Sequence, residues 1–251
     1  MKKLKIILLH LLPIAGNIEH NKNLIENSIL KASEYKPDWI ITPELALSGL
    51  QFSKKIGVNW IEEQPDSWLK KISEKIKLLK TNLFVGLPEK DHNGNYYNSV
   101  FVINNEGKII GKQRKITSFI DEWSTSGEKI EPIEVSGINV GIVICADSYS
   151  KNIADTLKNK GAEFLIAPSA WGPGQYGPEG EWEQRTIDTG LPMFVCNRTG
   201  EDETVSFWQA DSSVIKDGKR LISHNSIEPF MIIIEWNLDK KEIDSYEIKT
   251  L

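Results

Sequence analysis

The chain has 251 residues, 40% of them hydrophobic and 26% charged, proportions that are typical of an ordinary soluble globular fold. Its formal net charge of −5 and its scattered lysines argue against a nucleic-acid partner. Beyond the N-terminus, no segment approaches the roughly 20 apolar residues of a membrane helix. Two cysteines, Cys145 and Cys196, are too few for a disulfide scaffold and favour a reducing, cytoplasmic compartment.

The N-terminus has two interpretations. A basic start followed by the apolar stretch 6–16 has the outline of a secretory signal. Against this, His10 and Pro13 interrupt the stretch and the residues after it form a poor cleavage site. We favour a buried first strand over residues 5–11 and then a helix capped near Asn17, because short apolar runs are typical of parallel-sheet interiors.

After the first strand, apolar runs alternate with amphipathic runs. Asp66 suits the N-cap of the second helix, and residues 104–107 form a turn rich in residues that tolerate positive φ. The predicted elements in chain order are helix 18–32, strand 39–41, a helix from Asp66, strand 83–87, hairpin strands 96–103 and 108–115, strand 139–145, helix 153–160, strand 164–167, helix 182–189, and strands 193–196, 212–215 and 230–236.

This alternation predicts an α/β fold. Strand runs outnumber the helices and one hairpin is inserted among them, so a single open sheet would be crowded. We therefore expect two sheets packed together with helices outside. No short repeat, linker or low-complexity tract divides the sequence, which predicts one domain over residues 1–251.

Cys145 is the first candidate for chemistry. It ends the apolar run 141–145, and a side chain at the carboxyl end of a strand lies at the functional edge of an α/β sheet. The backbone N–H groups of a helix beginning there would favour a thiolate. The alternative is a buried structural cysteine, and spacing alone leaves both interpretations open. Cys196 lies inside the apolar run 193–196, which favours core packing.

Two charged residues also end strand-like runs. Glu44 follows 39–43 and could serve as a general base with a raised pKa, although a solvated loop glutamate would look the same. Lys115 closes the second hairpin strand, where basic residues most often lie in solvent. None of the four histidines has the spacing of a zinc pair or a Cys–His protease. If Cys145 is a nucleophile, a carboxylate and a lysine are the available substitutes for a histidine base.

The segment 172–177 matches the glycine pattern of dinucleotide-binding turns. Prolines at 173 and 178 interrupt that pattern, and no apolar helix begins directly after it. We interpret the segment as a loop at the carboxyl end of a strand that shapes a pocket, with no bound cofactor.

Three sequence blocks resemble the nitrilase superfamily of carbon–nitrogen hydrolases. They are Pro43-Glu44-Leu45-Ala46-Leu47-Ser48-Gly49, then Gln113-Arg114-Lys115, then Gly141-Ile142-Val143-Ile144-Cys145-Ala146-Asp147. Two further blocks, 167–171 and 196–200, and the opening strand agree with that family in the same order. The resemblance therefore spans nearly the whole chain.

The resemblance implies a four-layer αββα sandwich that dimerises through the outer helices near the cysteine. It implies that Cys145 attacks the substrate carbon to give a thioester or thioimidate. Glu44 would act as the acid–base, and Lys115 with the Ala146 backbone N–H would stabilise the oxyanion. No metal ion or organic cofactor is expected.

The resemblance also implies a second glutamate after the lysine that helps to position the substrate. Glu122 is the best match, with Asp121 close behind. Substrate-binding residues are expected at Trp123, Ala146, Trp171 and Gly172.

Departures from the family pattern leave the branch open. Ala146 is small, 148–151 replace an Arg-Phe-Pro-Glu-like segment, and His10 stands where many members have glutamine. The leading hypothesis is an amidase for a small aliphatic amide, which includes one end of a dicarboxylic acid monoamide. A nitrilase, an N-carbamoyl-amine hydrolase and an acyl transferase are alternatives. A non-enzymatic binding protein is the least supported, because it has no need of Glu44, Lys115 and Cys145 together.

Overall fold

Two β-sheets packed face to face form the centre of the computed structural model, which describes residues 2–118, 122–174 and 177–251. The helices are α1 (Ile18–Ser33), α2 (Phe52–Ile56), α3 (Ser67–Leu79), α4 (Lys151–Asn159) and α5 (Glu181–Thr189). The strands are β1 (Lys3–His10), β2 (Trp39–Ile41), β3 (Asn82–Lys90), β4 (Tyr96–Ile103), β5 (Ile109–Arg114), β6 (Ile133–Val135), β7 (Ile138–Ile142), β8 (Phe164–Pro168), β9 (Met193–Cys196), β10 (Ser212–Lys216), β11 (Lys219–His224), β12 (Phe230–Asn237) and β13 (Glu242–Thr250).

The first sheet has the order β13-β12-β1-β2-β3-β4-β5 and the second has the order β11-β10-β9-β8-β7-β6. The central strands β1, β2 and β3 are parallel, as are β7, β8 and β9. Parallel strands present their carboxyl ends at one edge of a sheet, which gathers the residues that follow them.

The hydrophobic packing divides the fold into four layers. One apolar cluster joins α1 and α3 to the outer face of the first sheet. A second cluster fills the space between the sheets and continues onto α4 and α5 behind the second sheet. Both long helices on the first sheet begin where the sequence predicts, since Asn17 and Asp66 accept capping hydrogen bonds from His20 and Leu69. The αββα sandwich is thus confirmed.

The first strand is central and buried. β1 pairs antiparallel with β12 on one side and parallel with β2 on the other. The interpretation of the N-terminal apolar run as a buried strand is therefore confirmed. Within the described ranges, no helix is long and apolar enough to span a membrane.

Cys196 lies in the core at the end of β9, as predicted. Its Sγ is 3.3 Å from the Leu9 carbonyl oxygen and 3.2 Å from the Ile41 carbonyl oxygen, so its single S–H donates to the first sheet from the second. Burial raises the pKa of this thiol well above its ordinary value. Cys196 is thus a neutral packing group that connects the two sheets.

The structure differs from the predicted elements mainly at polar edges. The strands β11 and β13, which close the sheets on one side, were not expected because most of their residues are exposed and show no apolar alternation. The elements α2 and β6 were not predicted because they are too short to show a periodic apolar pattern. β7 ends at Ile142, so the predicted strand 139–145 is three residues too long.

Candidate active site

Cys145 lies in a strained turn rather than at the end of a strand. After β7 the chain enters a short 3₁₀ turn, Cys145–Tyr149, and Cys145 itself has φ +47°. The expected helix at this point is absent, because α4 begins only at Lys151. A positive φ costs a residue with a side chain on the order of 1 kcal/mol, and such strain is concentrated at functional sites. The conformation displays the thiol at the sheet edge.

Glu44 is the centre of a buried polar cluster. It lies in the turn after β2 and is 0% exposed. Its Oε1 accepts from Lys115 Nζ at 2.8 Å and from Asn98 Nδ2 at 2.8 Å, and its Oε2 accepts from the Ala170 backbone N–H at 3.0 Å. Three donors fix both oxygens of the carboxylate, so the group is oriented before any ligand arrives.

Lys115 reaches this cluster from the strand edge. It follows β5 directly, and its backbone N–H donates to the Asn98 carbonyl oxygen at 2.8 Å. Its side chain is 3% exposed, so the solvated strand end that its basic neighbours favoured is wrong for this residue. A buried ammonium requires a paired carboxylate, and Glu44 supplies it.

The Cys145 thiol faces the same carboxylate. Burial raises the pKa of Cys145 well above its ordinary value; the Glu44 charge and hydrogen bond raise it further, while Lys115 acts in the opposite direction. The resting residue is therefore a neutral thiol, and its attack on a substrate needs a base within hydrogen-bond reach. Glu44 is placed to act as that base, because its charge acts directly on the thiol and raises the pKa of Cys145.

Asp147 joins the two halves of the cluster. It is buried, and its Oδ1 accepts from the backbone N–H groups of Ile116 at 3.1 Å and Thr117 at 2.7 Å, while its Oδ2 accepts from Ile144 at 3.2 Å. The carboxylate thereby ties the segment after Lys115 to the turn that carries Cys145. Burial raises the pKa of Asp147 to about 6, although the Thr117 hydrogen bond and the Lys115 charge oppose the rise.

This raised pKa predicts a pH-dependent stability. Protonated Asp147 is favoured by the fold, so its contribution is complete below the unfolded value of 3.8 and is lost as pH rises through about 6. The difference in unfolding free energy between the native protein and Asp147→Asn should fall by on the order of 3 kcal/mol from pH 4 to pH 7. Urea unfolding across that range measures it. A difference that is independent of pH would contradict the assignment, and a ¹³C titration of the carboxyl group provides a direct check.

A cavity of about 500 Å³ opens at Cys145 and Lys115. Three of the expected substrate-binding residues, Ala146, Trp171 and Gly172, line it, as does the rest of the described part of the glycine-rich loop. The sequence did not indicate the remaining described lining residues, which are Leu50, Tyr149, Ala170, Thr204, Val205 and Ser206. The described residues of the loop, 172–174 and 177, thus border a pocket, as we interpreted the segment.

The other two predicted positions lie outside this set. Trp123 packs its ring edge-on against Phe52, with centroids 4.8 Å apart, in a small neighbouring cluster. Glu122 is exposed, and Asp121 lies outside the described residues. The assignment of a second acidic residue stays a prediction.

Two site residues could have been found from one signal. Asn98 lies within an otherwise apolar buried strand, and Asn197 follows another. A buried amide in such a strand requires partners, because its polar atoms have lost water. Asn98 holds Glu44, whereas the Asn197 side chain bridges the N–H and C=O of Trp171 at 3.1 and 2.9 Å.

Among the described residues no group of three His, Cys, Asp or Glu side chains could hold a metal ion.

Comparisons with known proteins agree with this geometry. The carbon-nitrogen hydrolase family matches residues 10–235. A probable nitrilase of Schizosaccharomyces pombe is 25% identical over 86% of this chain and 82% of its own length. The omega-amidase NIT2 of Danio rerio is 27% identical over 94% and 88% of the two chains. The crystal structure of Saccharomyces cerevisiae Nit3, of the nitrilase superfamily, superposes with a TM-score of 0.82 at 22% identity over 95% and 91%.

Proposed function

This chain belongs to the carbon-nitrogen hydrolase family of the nitrilase superfamily, and we propose that it hydrolyses small aliphatic amides through a thioester on Cys145. One observation carries the proposal. A fully buried carboxylate, Glu44, pairs with Lys115 at 2.8 Å, its charge raises the pKa of the Cys145 thiol, and Cys145 and Lys115 line one cavity. A nucleophile, a base and a fixed positive charge are the groups that acyl transfer requires.

In the first half-reaction, Glu44 takes the thiol proton as Sγ bonds to the amide carbon. The carbonyl π electrons move to oxygen, and the Lys115 ammonium with the Ala146 backbone N–H stabilises that oxyanion. Glu44 then protonates the amide nitrogen. The carbon–nitrogen bond breaks, ammonia leaves, and an acyl thioester remains on Cys145.

In the second half-reaction, Glu44 removes a proton from water, which attacks the thioester carbon. The second oxyanion collapses with cleavage of the carbon–sulfur bond, and the carboxylic acid is released. Glu44 returns its proton to the departing thiolate. The same carboxylate thus acts as base and acid in turn.

By name, the relatives cover both amide and nitrile chemistry. The omega-amidase aligns with 94% of this chain and the probable nitrilase with 86%. A nitrilase, an N-carbamoyl-amine hydrolase and an acyl transferase would use the same thiol, so the experiment must separate them by product.

The test measures ammonia and acid release from acetamide, propanamide and butanamide, from their nitriles and from N-carbamoyl amines. Intact-mass spectrometry of quenched reactions detects the acyl adduct on Cys145. We expect turnover of the amides, one acyl group per active chain, and free acid as the product. Faster turnover of the nitriles or carbamoyl amines, or transfer to added hydroxylamine in preference to water, would assign one of the alternatives. The absence of turnover and of any adduct would refute the proposal.

The position of Glu44 depends on a glycine in the neighbouring strand. A Cβ at Gly86 would lie 2.3 Å from the Pro43 carbonyl oxygen and 2.9 Å from the Leu45 nitrogen, so the turn would have to move by roughly 1 Å. We expect Gly86→Ala to reduce kcat about 100-fold, because displacements of this size have such effects in active sites.

Gly111→Ala is the matched control for Gly86→Ala. Its Cβ would meet only side-chain atoms of Ile133, at 2.9 Å, so it should lower the melting temperature without this loss of kcat. Steady-state kinetics with thermal unfolding separates the two effects. Equal kcat values in the two variants would contradict the role of Gly86.

We propose in addition a cytoplasmic location and a dimer formed through the outer helices. Both cysteines are free and buried, which suits a reducing compartment. Tyr149 and Ile187, 42% and 59% exposed, supply apolar surface beside α4 and α5. Light scattering would test the assembly, and a monomer at micromolar concentration would contradict it.

A further inference from the structure

One wall of the cavity is a tight turn that we call the wall loop, residues 200–207. Its ends are closed by hydrogen bonds from the Phe207 N–H to the Gly200 carbonyl oxygen at 2.8 Å and from the Asp202 N–H to the Val205 carbonyl oxygen at 2.9 Å. Val205 lines the cavity from this loop, and Leu50 lines it from the segment before α2. The two side chains pack on one apolar cluster, which brings distant parts of the sequence into one surface.

A buried ion pair holds this surface in place. The Arg198 guanidinium is fully buried, with Nη2 3.2 Å from Asp202 Oδ1 and 2.8 Å from the Pro13 carbonyl oxygen. Asp202 Oδ2 accepts from the backbone N–H groups of Leu50 at 2.9 Å and Gln51 at 3.0 Å. The ion pair therefore fixes both the wall loop and the segment that carries Leu50.

Two further contacts extend the same support. Arg198 stacks on Phe207, with the guanidinium carbon 4.3 Å from the ring centroid. The Gln51 side chain accepts from the Thr204 N–H at 2.9 Å and donates to its hydroxyl at 2.6 Å. Neither Arg198 nor Asp202 is among the described residues that line the cavity, so their effect on a ligand is indirect.

The charges around the cavity disfavour an anionic substrate. Among its described lining residues Lys115 alone is cationic, and Glu44 already pairs with it. The sequence of the segments outside the description, 119–121 and 175–176, contains no Lys, Arg or His. The negative charges of Glu181 and Glu179 act on Tyr149, another lining residue. A carboxylate on the acyl chain would lose its water without gaining a cationic partner.

We propose, on the basis of the amidase function proposed above, that Leu50 and Val205 are specificity-determining residues of an acyl pocket for uncharged alkyl groups, positioned by the Arg198–Asp202 pair. The pocket thus selects monoamides of simple aliphatic acids and rejects the amides of dicarboxylic acids. Each methylene that fits an apolar pocket is worth about tenfold in kcat/KM, whereas an unpaired buried charge opposes binding far more strongly.

The first experiment compares butanamide with succinamate, which has a carboxylate at the end of a chain of similar length. We expect kcat/KM to favour butanamide at least about 100-fold, since the carboxylate gains no partner. Val205→Lys should reduce that ratio at least tenfold by adding the missing cation. Ile227→Lys, which adds the same charge at a residue that is 63% exposed and outside the described lining, is the control and should leave the ratio unchanged. A native preference for succinamate, or an unchanged ratio in Val205→Lys, overturns the proposal.

The second experiment tests the positioning role. Asp202→Asn and the milder Gln51→Ala should raise KM for butanamide several-fold and reduce the ratio of butanamide to acetamide, with kcat nearly retained. A merely structural role would lower the amount of folded enzyme and leave both KM and that ratio unchanged, which would overturn this part. If Asp202→Asn fails to fold, Gln51→Ala still tests the positioning role.

Failure of the proposed function would be distinguishable from failure of this inference. Calorimetry on Cys145→Ala measures binding of butanamide and succinamate without any turnover. Preferential binding of butanamide supports the acyl pocket even if no amide is hydrolysed. Preferential binding of succinamate overturns it even if amides are hydrolysed.

Discussion

Cys145→Ala is expected to reduce amide hydrolysis at least about 10⁴-fold while leaving the fold intact, because no other group at the site can form the thioester. The substitution removes one sulfur atom from a residue that already has a Cβ at φ +47°, so the strain of the turn is unchanged. The buried carboxylate of Glu44 keeps Lys115 and Asn98 as its partners. Kinetics, circular dichroism and intact-mass analysis of the acyl adduct together measure the effect.

Cys196→Ala is the matched control for this result. Cys196 is equally buried but lies between the sheets, where its thiol contacts the carbonyl oxygens of Leu9 and Ile41. Its removal should lower the unfolding free energy by on the order of 1 kcal/mol and leave kcat per folded molecule unchanged. Iodoacetamide should label Cys145 well before Cys196. Comparable turnover by Cys145→Ala would refute the covalent mechanism.

Glu44→Gln should reduce kcat at least about 10³-fold, because the resting thiol is neutral and loses its base. The amide keeps the shape of the carboxylate but has only one acceptor oxygen, whereas Lys115, Asn98 and the Ala170 N–H all donate to the native group. Formation of the acyl adduct should slow in parallel with kcat. Rapid quenching and mass spectrometry measure its rate. Alkylation of Cys145 should slow as well, since proton removal from the thiol precedes it.

Glu89→Gln separates this chemical loss from the loss of a buried ion pair. Glu89 is 1% exposed and binds Arg114 and Lys112, each at 2.5 Å, in the adjoining part of the same sheet. Its replacement should destabilise the protein, because the partly buried Arg114 and Lys112 lose the carboxylate that binds both of them. It should not abolish adduct formation. Equal rate losses in the two glutamine variants would indicate that Glu44 has only a structural role.

The sequence was sufficient to predict the sandwich and the three charged or nucleophilic residues of the site, for different reasons. Buried strands such as β9 are short apolar runs whose length distinguishes them from helices. Cys145, Glu44 and Lys115 stood in the order of a known family, although each residue alone had an ordinary alternative. The 2.8 Å contact between Lys115 and Glu44 then required the fold, since 71 residues separate them.

What the sequence did not reveal depends on contacts between distant loops. Leu50 and Val205 form one wall only because Asp202 binds the backbone beside Leu50, a contact across 152 residues. The end of β7 was misplaced for a local reason. Residues 143–146 remain apolar into the 3₁₀ turn because the start of that turn is itself buried, so hydrophobicity does not mark the change of direction. The edge strands β11 and β13 were missed for the opposite reason, because they form strands although most of their residues are exposed and polar.

The central position of β1 also affects how the protein is made. Lys2 and Asp239 are hydrogen-bonded across 237 residues, so β1 can complete its pairing only after β12, which is made much later in synthesis, is available. At the usual rate of synthesis the wait is on the order of ten to fifty seconds. During this time the apolar β1 has an unpaired edge in the nascent chain, a form that aggregates readily. The sheet that positions Glu44 and Lys115 is therefore complete only once β12 has been made.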